Sequence, residues 1–169
     1  MNRSPYLTTY YSPVGVLTLA SDGTQLTGLW LEHQKYFGST LAPNATEQNL
    51  VVFAQAIDWL NRYFHGEAPA MTLPLAPEGS AFRQTVWDIL FRIPYGETMT
   101  YGQIAVQLEQ QTGKRISAQA VGGAVGHNPI SILIPCHRVL GADGSLTGYA
   151  GGLRAKAQLL TLEGAHFRT

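Results

Sequence analysis

The sequence predicts an α+β chain of two small domains, a sheet-plus-helix domain followed by a helical one. Three observations carry this. Strand-like runs separated by turn signals fill the first third. A proline-rich stretch, Glu67 to Gly79, then interrupts the chain with Pro69, Pro74 and Pro77. Beyond it the apolar spacing becomes helical, and two short helices joined by a glycine-containing turn suggest a helix-turn-helix unit. Residues 1–78 and 79–169 are therefore expected as separate domains.

The elements follow in order. Tyr6 to Tyr11 is strand-like and turns at Ser12-Pro13-Val14-Gly15, and Val16 to Ala20 follows. Asp22-Gly23 is a hairpin signal leading to a third strand, Leu26 to Leu31, so an antiparallel meander is expected. A helix comes next, with Leu50, Phe53, Ala54, Ile57, Leu60 and Phe64 on one stripe and Gly66 as its stop. Nothing in these 66 residues has a catalytic look, and their expected role is support.

In the second domain Ser80 can cap a helix whose apolar side is Phe82, Val86, Leu90 and Ile93, with Trp87 close by. Pro94-Tyr95-Gly96 ends it. Thr100-x-x-Gln103 has the form of a capping box, opening a helix through about Leu108. Ser117 can cap the next helix, to about Gly126, and Asn128-Pro129 stops it. An apolar run, Ile130 to Ile134, enters Pro135-Cys136-His137-Arg138-Val139. A last helix is expected from Leu153 to Glu163, with Gly164 beyond it.

Composition excludes several classes. One cysteine rules out an internal disulfide and any multi-cysteine zinc site, and the five histidines lack paired ligand spacing, so no metal is expected. No apolar run approaches the roughly 18 residues of a membrane helix, and the N-terminus lacks a secretion signal, so the expected location is cytoplasmic. Net charge is zero, yet from Gly79 onward eight Lys and Arg oppose five Asp and Glu. That asymmetry permits a basic face on the second half.

Cys136 is the one side chain able to act as a strong nucleophile near neutral pH. Only its thiolate attacks, so it needs a base or a positive field. Read from composition alone, a buried structural cysteine is the favoured alternative. Adjacency to His137 does not overturn that, because neighbours in a straight strand point to opposite faces. A functional pair requires a bend, which Pro135 permits, or a relaying water. Glu163 is a candidate to orient His137, since its place at a helix C-terminus is unfavourable for a solvated carboxylate. Tyr101 can donate a phenolic proton, or be one half-buried tyrosine among eight.

The second paired helix carries Ala118-Gln119-Ala120-Val121-Gly122-Gly123-Ala124. Each mid-helix glycine costs about 1 kcal/mol relative to alanine, so two together need a reason. Either another element packs closely, or the face meets a ligand as large as DNA. A major-groove reader carries long polar side chains, whereas these small residues suit a shallow approach through the minor groove.

Together, Ile134-Pro135-Cys136-His137-Arg138-Val139, the preceding Gly126-His127-Asn128-Pro129 and the following Gly148-Tyr149-Ala150-Gly151-Gly152 resemble the O6-alkylguanine-DNA alkyltransferases. Phe82-Arg83-Gln84 with Trp87, Pro94-Tyr95-Gly96, Tyr101 and Leu160 to Gly164 extend the resemblance over residues 79–169. It implies a ribonuclease-H-like N-terminal domain and a winged helix-turn-helix alkyltransferase domain. It implies a monomer acting on alkylated double-stranded DNA, without cofactor or membrane, and removing alkyl groups from guanine O6 and thymine O4. Cys136 is then the acceptor, His137 draws the thiol proton through a water, and Glu163 holds the imidazole. Tyr101 donates toward the base, and Asn128 ties the recognition helix to the site. Pro135, Val139, Tyr149, Ala150, Gly151 and Gly152 line the base pocket. Phe82, Tyr101, Arg115, Ala118, Gln119, Ala120, Gly122, Gly123 and Arg138 face DNA. The damaged nucleotide is flipped out, because O6 is unreachable inside a duplex. A thioether is not hydrolysed as an acyl intermediate is, so each molecule acts once.

One position departs from the pattern. Relatives carry an arginine where Gln119 stands, inserted into the base stack, so weaker DNA affinity is expected here. Arg115, one helical turn earlier, is a candidate to compensate, and the segment Gln110 to Ile116 is longer than usual. Three rival functions fit less well: a non-catalytic binder of alkylated DNA, which Cys136 argues against; a cysteine hydrolase, which would not explain paired helices rich in small residues; and a helix-turn-helix repressor, which the polar-poor second helix disfavours.

Overall fold

The computed structural model describes residues 3–169. Two compact units emerge, one built from residues up to Glu78 together with Pro129–Leu133, the other from Gly79–Asn128 and Ile134–Thr169. The chain thus returns once to the first unit, immediately before the cysteine.

In the first unit, β1 (Ser4–Ser12), β2 (Gly15–Ser21), β3 (Leu26–Leu31) and β4 (Leu41–Glu47) form one sheet in the order β3-β2-β1-β4. The first three are the antiparallel strands that their alternation predicts, and the Asp22 carboxylate shapes the hairpin by accepting from Thr24 and Gln25 N–H groups at 3.0 and 2.9 Å. The meander expectation stops short of the fourth strand, which pairs parallel to β1 with an irregular register. Its sequence, Leu-Ala-Pro-Asn-Ala-Thr-Glu, is polar and contains a proline, as suits a solvent-facing edge strand and not a core one.

The expected linker is also part of this sheet. Leu26 N–H donates to Pro74 O at 2.8 Å and Ala76 N–H donates to Leu26 O at 2.8 Å. Pro74 only accepts there, so the stretch pairs with the β3 edge despite its composition. Farther along the same edge Leu29 N–H donates to Pro129 O and Ser131 N–H to Leu29 O, at 2.8 and 2.9 Å. Helix α1 (Val51–Phe64) buries Val52, Phe53, Ala56, Trp59, Leu60 and Tyr63. That face is rotated from the expected stripe: Ala54 is exposed, and Ile57 and Phe64 are only half-buried. Trp59 and Tyr63 stack at 5.3 Å, and these two large rings decide which side faces inward.

The second unit follows its caps. Helix α2 (Ala81–Phe91) starts at Ser80, whose hydroxyl accepts from Arg83 N–H at 3.2 Å. Helix α3 (Tyr101–Thr112) starts with the full capping box of Thr100 and Gln103. It runs one turn past Leu108 through polar residues before Gly113 ends it at φ 71°. Helix α4 (Ala118–Gly126) starts at Ser117, which accepts from Ala120 N–H at 3.0 Å. Trp87 is buried and its indole N–H donates to Ala124 O at 2.8 Å, pinning α2 to α4. Gly79 is required beside it, since a Cβ there would lie 2.4 Å from the Trp87 ring. Two-residue strands β5 (Met99–Thr100) and β6 (Val139–Leu140) pair in parallel, and α5 (Leu153–Leu162) closes the unit. Leu140, Leu160 and Ala165 form a core cluster with Leu146 and Phe167 against it.

Candidate active site around Cys136

The bend that a Cys136–His137 pair requires is present. Pro135 lies at φ −80°, ψ 65°, and Cys136 N–H donates to Ile134 O at 2.8 Å, the geometry of an inverse γ-turn. A single 3₁₀ turn, Cys136–Arg138, follows at once, with Arg138 N–H donating to Pro135 O at 3.0 Å. With three residues per turn, successive side chains around such a turn point about 120° apart instead of alternating between two opposite faces. Asn128, just past α4, donates from Nδ2 to Ile134 O at 2.8 Å. The end of α4 is thereby tied to the cysteine turn. On the far side, the pairing Met99↔Val139 and Thr100↔Leu140 joins the exit of that turn to the start of α3, where Tyr101 stands.

Cys136 is buried, and so are Pro135, His137, Arg138 and Val139. His137 Nε2 donates to Glu163 Oε2 at 2.7 Å. Arg138 donates from Nε to Glu163 Oε1 at 2.7 Å and from Nη2 to Oε2 at 3.1 Å, while Nη1 donates to Ile93 O at 2.6 Å. Burial alone would push the Glu163 carboxyl up, but the His137 hydrogen bond and the Arg138 guanidinium outweigh it and hold the group at about 2. Burial pushes His137 down, against the pull of Glu163. The consistent state is an ionised Glu163 paired with Arg138 and a neutral His137. With Nε2 carrying the proton, Nδ1 is an acceptor, and it is buried with no hydrogen-bond partner among the described residues.

Tyr101 is half-buried, and burial raises its phenol, which stays protonated at neutral pH. Its hydroxyl donates to the carbonyls of Thr147 and Gly148 at 3.3 and 3.4 Å. The same two carbonyls accept from Lys156 Nζ at 2.9 and 3.1 Å. Lys156 is fully buried; burial pulls its ammonium down to about 8, opposed by the Cys136 thiolate charge. This residue escaped the sequence reading, although a signal existed. It stands on the stripe Lys156, Leu159, Leu160, Glu163, where a solvated lysine has no place.

Of the pocket-wall residues, Tyr149, Ala150 and Gly151 are half-buried, and Gly152 is exposed at φ 93° at the N-cap of α5. Among the residues expected at DNA, Ala118, Gln119, Ala120 and Gly123 are exposed on α4, and Phe82 is half-buried on α2. Gly122 is partly covered, with space for a Cβ 4.0 Å from the Tyr101 ring, while a Cβ on Gly123 would meet nothing within 4 Å. Close packing therefore does not account for Gly123. Two expectations need correction. Arg138 is no surface residue: Glu163 and the Ile93 carbonyl occupy its buried guanidinium. Arg115 is exposed but precedes the Ser117 cap, so it belongs to the turn and not to an earlier turn of α4. Among the described residues no group of three or more His, Cys, Asp or Glu is placed to hold a metal ion.

Comparison with known proteins bears directly on this geometry. The 6-O-methylguanine DNA methyltransferase DNA-binding domain matches residues 81–165, and the ribonuclease-like domain of the same proteins matches residues 6–77. The chain is 47% identical over 162 residues to the methylated-DNA–protein-cysteine methyltransferase of Haemophilus influenzae, covering 94% of this chain and 86% of the relative. It is 42% identical to the protein of that name from Methanosarcina acetivorans, covering 95% and 99%. Its fold matches the crystal structure of Mycobacterium tuberculosis OGT in complex with DNA, with a TM-score of 0.83, 46% identity, and coverage of 94% and 92%. The α+β architecture expected from the sequence stands, with its N-terminal sheet domain and its helical domain. The chain belongs to the methylated-DNA–protein-cysteine methyltransferase family.

Proposed function

We propose that this chain reverses alkylation damage directly, moving the alkyl group from guanine O6, and from thymine O4, in DNA onto Cys136. The observation that carries the reading is that His137, next in the chain to the thiol, is buried with Nε2 on Glu163 and with Nδ1 lacking a hydrogen-bond partner among the described residues. In the forward step the Cys136 S–H proton passes through a water to Nδ1. The thiolate attacks the alkyl carbon, the S–C bond forms and the C–O6 bond breaks. The electron pair moves onto the purine, and the Tyr101 phenol donates a hydrogen bond to the ring as that charge grows. Lys156 supplies the positive field that a thiolate in a buried turn needs. Nothing in the site hydrolyses a thioether, so each molecule works once.

Residues 1–78 then serve as support, and 79–169 bind DNA and accept the alkyl group. Helix α4 enters the minor groove with its small-residue face, Ala118, Ala120, Gly122 and Gly123 against the backbone and Gln119 at the gap left by the flipped nucleotide. Phe82 and Arg115 flank that contact. Pro135, Val139, Tyr149, Ala150, Gly151 and Gly152 enclose the extruded base, and the protein acts as a monomer in the cytoplasm. No helix among the described residues is long and apolar enough to cross a membrane. The test is incubation with an oligonucleotide containing O6-methylguanine, followed by intact-protein mass spectrometry. The expected result is one added methyl, mapped to Cys136 and absent in Cys136→Ala. Binding without mass gain would leave a non-catalytic binder, and turnover of an ester would leave a hydrolase.

A further inference from the structure

The segment preceding the cysteine turn is strained and held. Ile132 lies at φ 70°, a conformation that a β-branched residue adopts only under external constraint. Leu133 N–H donates to Ser131 O at 2.8 Å across it, so Ile132 is the centre of a γ-turn of the rare, positive-φ kind. Ile132 is also buried, so its side chain is anchored in the core.

The constraint is visible on the N-terminal side of Ile132. Ser131 and Gln34 both belong to the first unit and are both buried. Ser131 N–H donates to Leu29 O at 2.9 Å, and its hydroxyl donates to Gln34 Oε1 at 3.1 Å. The same Oε1 accepts from Leu31 N–H at 2.9 Å, while Gln34 N–H donates to Leu31 O at 3.1 Å. Gln34 is thus locked to the end of β3 by two bonds and uses one oxygen to hold Ser131. Two residues beyond Ile132, Ile134 O accepts from both Cys136 N–H and Asn128 Nδ2. A change in direction at Ile132 therefore reaches the acceptor turn through two peptide units.

We propose that Gln34, acting through Ser131, is a positioning residue for alkyl transfer: it holds the strained γ-turn at Ile132 and so sets the direction in which the chain enters the Cys136 turn. This rests on the transfer reading above. Without the Gln34 bond, Ile132 relaxes toward negative φ and the thiol leaves its line of attack. Misplacement of a reacting group by about 1 Å costs on the order of 100-fold in rate.

The experiment measures the first-order transfer rate at saturating O6-methylguanine duplex, separately from duplex affinity, well below the melting temperature. The proteins are the full-length chain and its Gln34→Ala, Ser131→Ala, Ser131→Thr and Gln34→Ala/Ser131→Ala variants. The expected result is a fall of about 10- to 100-fold for each alanine variant, with duplex affinity within about 2-fold of wild type. The double variant should fall no further than the worse single one, because both remove one bond, and Ser131→Thr should retain most of the rate. Wild-type rates in folded Ser131→Ala, with only its melting temperature lowered, would overturn the proposal and leave Gln34 a packing residue. Alanine losses that multiply in the double variant would overturn it as well, because the two side chains would then act independently. Failure of the wild-type chain to acquire a methyl would instead sink the transfer reading itself.

Discussion

Replacing Glu163 by Gln should destabilise the protein far more than a one-atom change suggests. The carboxylate accepts from His137 Nε2 and Arg138 Nε at 2.7 Å each and from Arg138 Nη2 at 3.1 Å. All three residues are buried, so water cannot replace the lost charge. Glutamine keeps one acceptor oxygen and turns an NH2 group toward donors, leaving the Arg138 cation uncompensated. Removing one member of a buried ion pair costs about 3–5 kcal/mol. A carboxyl held at about 2 against its ordinary 4.5 corresponds to about 3 kcal/mol favouring the ionised form, at the low end of that range. With about 2–4 °C per kcal/mol for a chain of this size, the melting temperature should fall by about 6–20 °C. Calorimetry at pH 7 measures this. The wild-type contribution is fully present above 4.5 and is lost as pH falls toward about 2, so the variant should also lack that acid limb. Adding Arg138→Met removes the orphaned cation and should restore most of the stability, but not the transfer rate, since His137 still lacks its carboxylate. A single variant within about 1 kcal/mol of wild type would refute the charge argument.

Gly123→Ala should raise stability by about 1 kcal/mol, as expected for an exposed mid-helix glycine, while weakening duplex binding. Equal affinity in a gel-shift titration would mean that the face does not meet DNA. Gln119→Arg should tighten binding and steepen its salt dependence by about one counterion, with the rate in the bound complex unchanged; unchanged affinity would count against α4 as the contact helix. Stability should vary with pH at two further groups. His137 is pushed down from 6.5, so only the unfolded chain takes up a proton as pH drops below 6.5, and stability falls there. Lys156 releases its proton near 8 in the folded chain and near 10.5 when unfolded, so stability should rise between those values. Urea midpoints across the pH range check both, and Lys156→Met should abolish the alkaline rise.

Local features were legible because their physics is local. Ser80, the Thr100–Gln103 pair and Ser117 satisfy helix N–H groups within three residues of themselves, so they mark helix starts in any fold. Pro135 announced a possible turn, and the lone cysteine identified the only strong nucleophile. The face of α1 was legible only in part, since its apolar residues span a wider arc than the buried face and the neighbours choose among them.

The sequence by itself determined the two-domain α+β class, the helix caps and the one side chain able to act as a strong nucleophile, all consequences of short-range spacing and residue chemistry. Tertiary structure alone decided that Arg138 turns inward to Glu163, 25 positions away, that Lys156 is buried, and that β4 runs parallel to β1. It also decided that Ser131 meets Gln34 across 97 positions. Burial converts these ordinary polar side chains into strongly coupled ones, and burial is a property of the packed chain that no residue carries in its own identity.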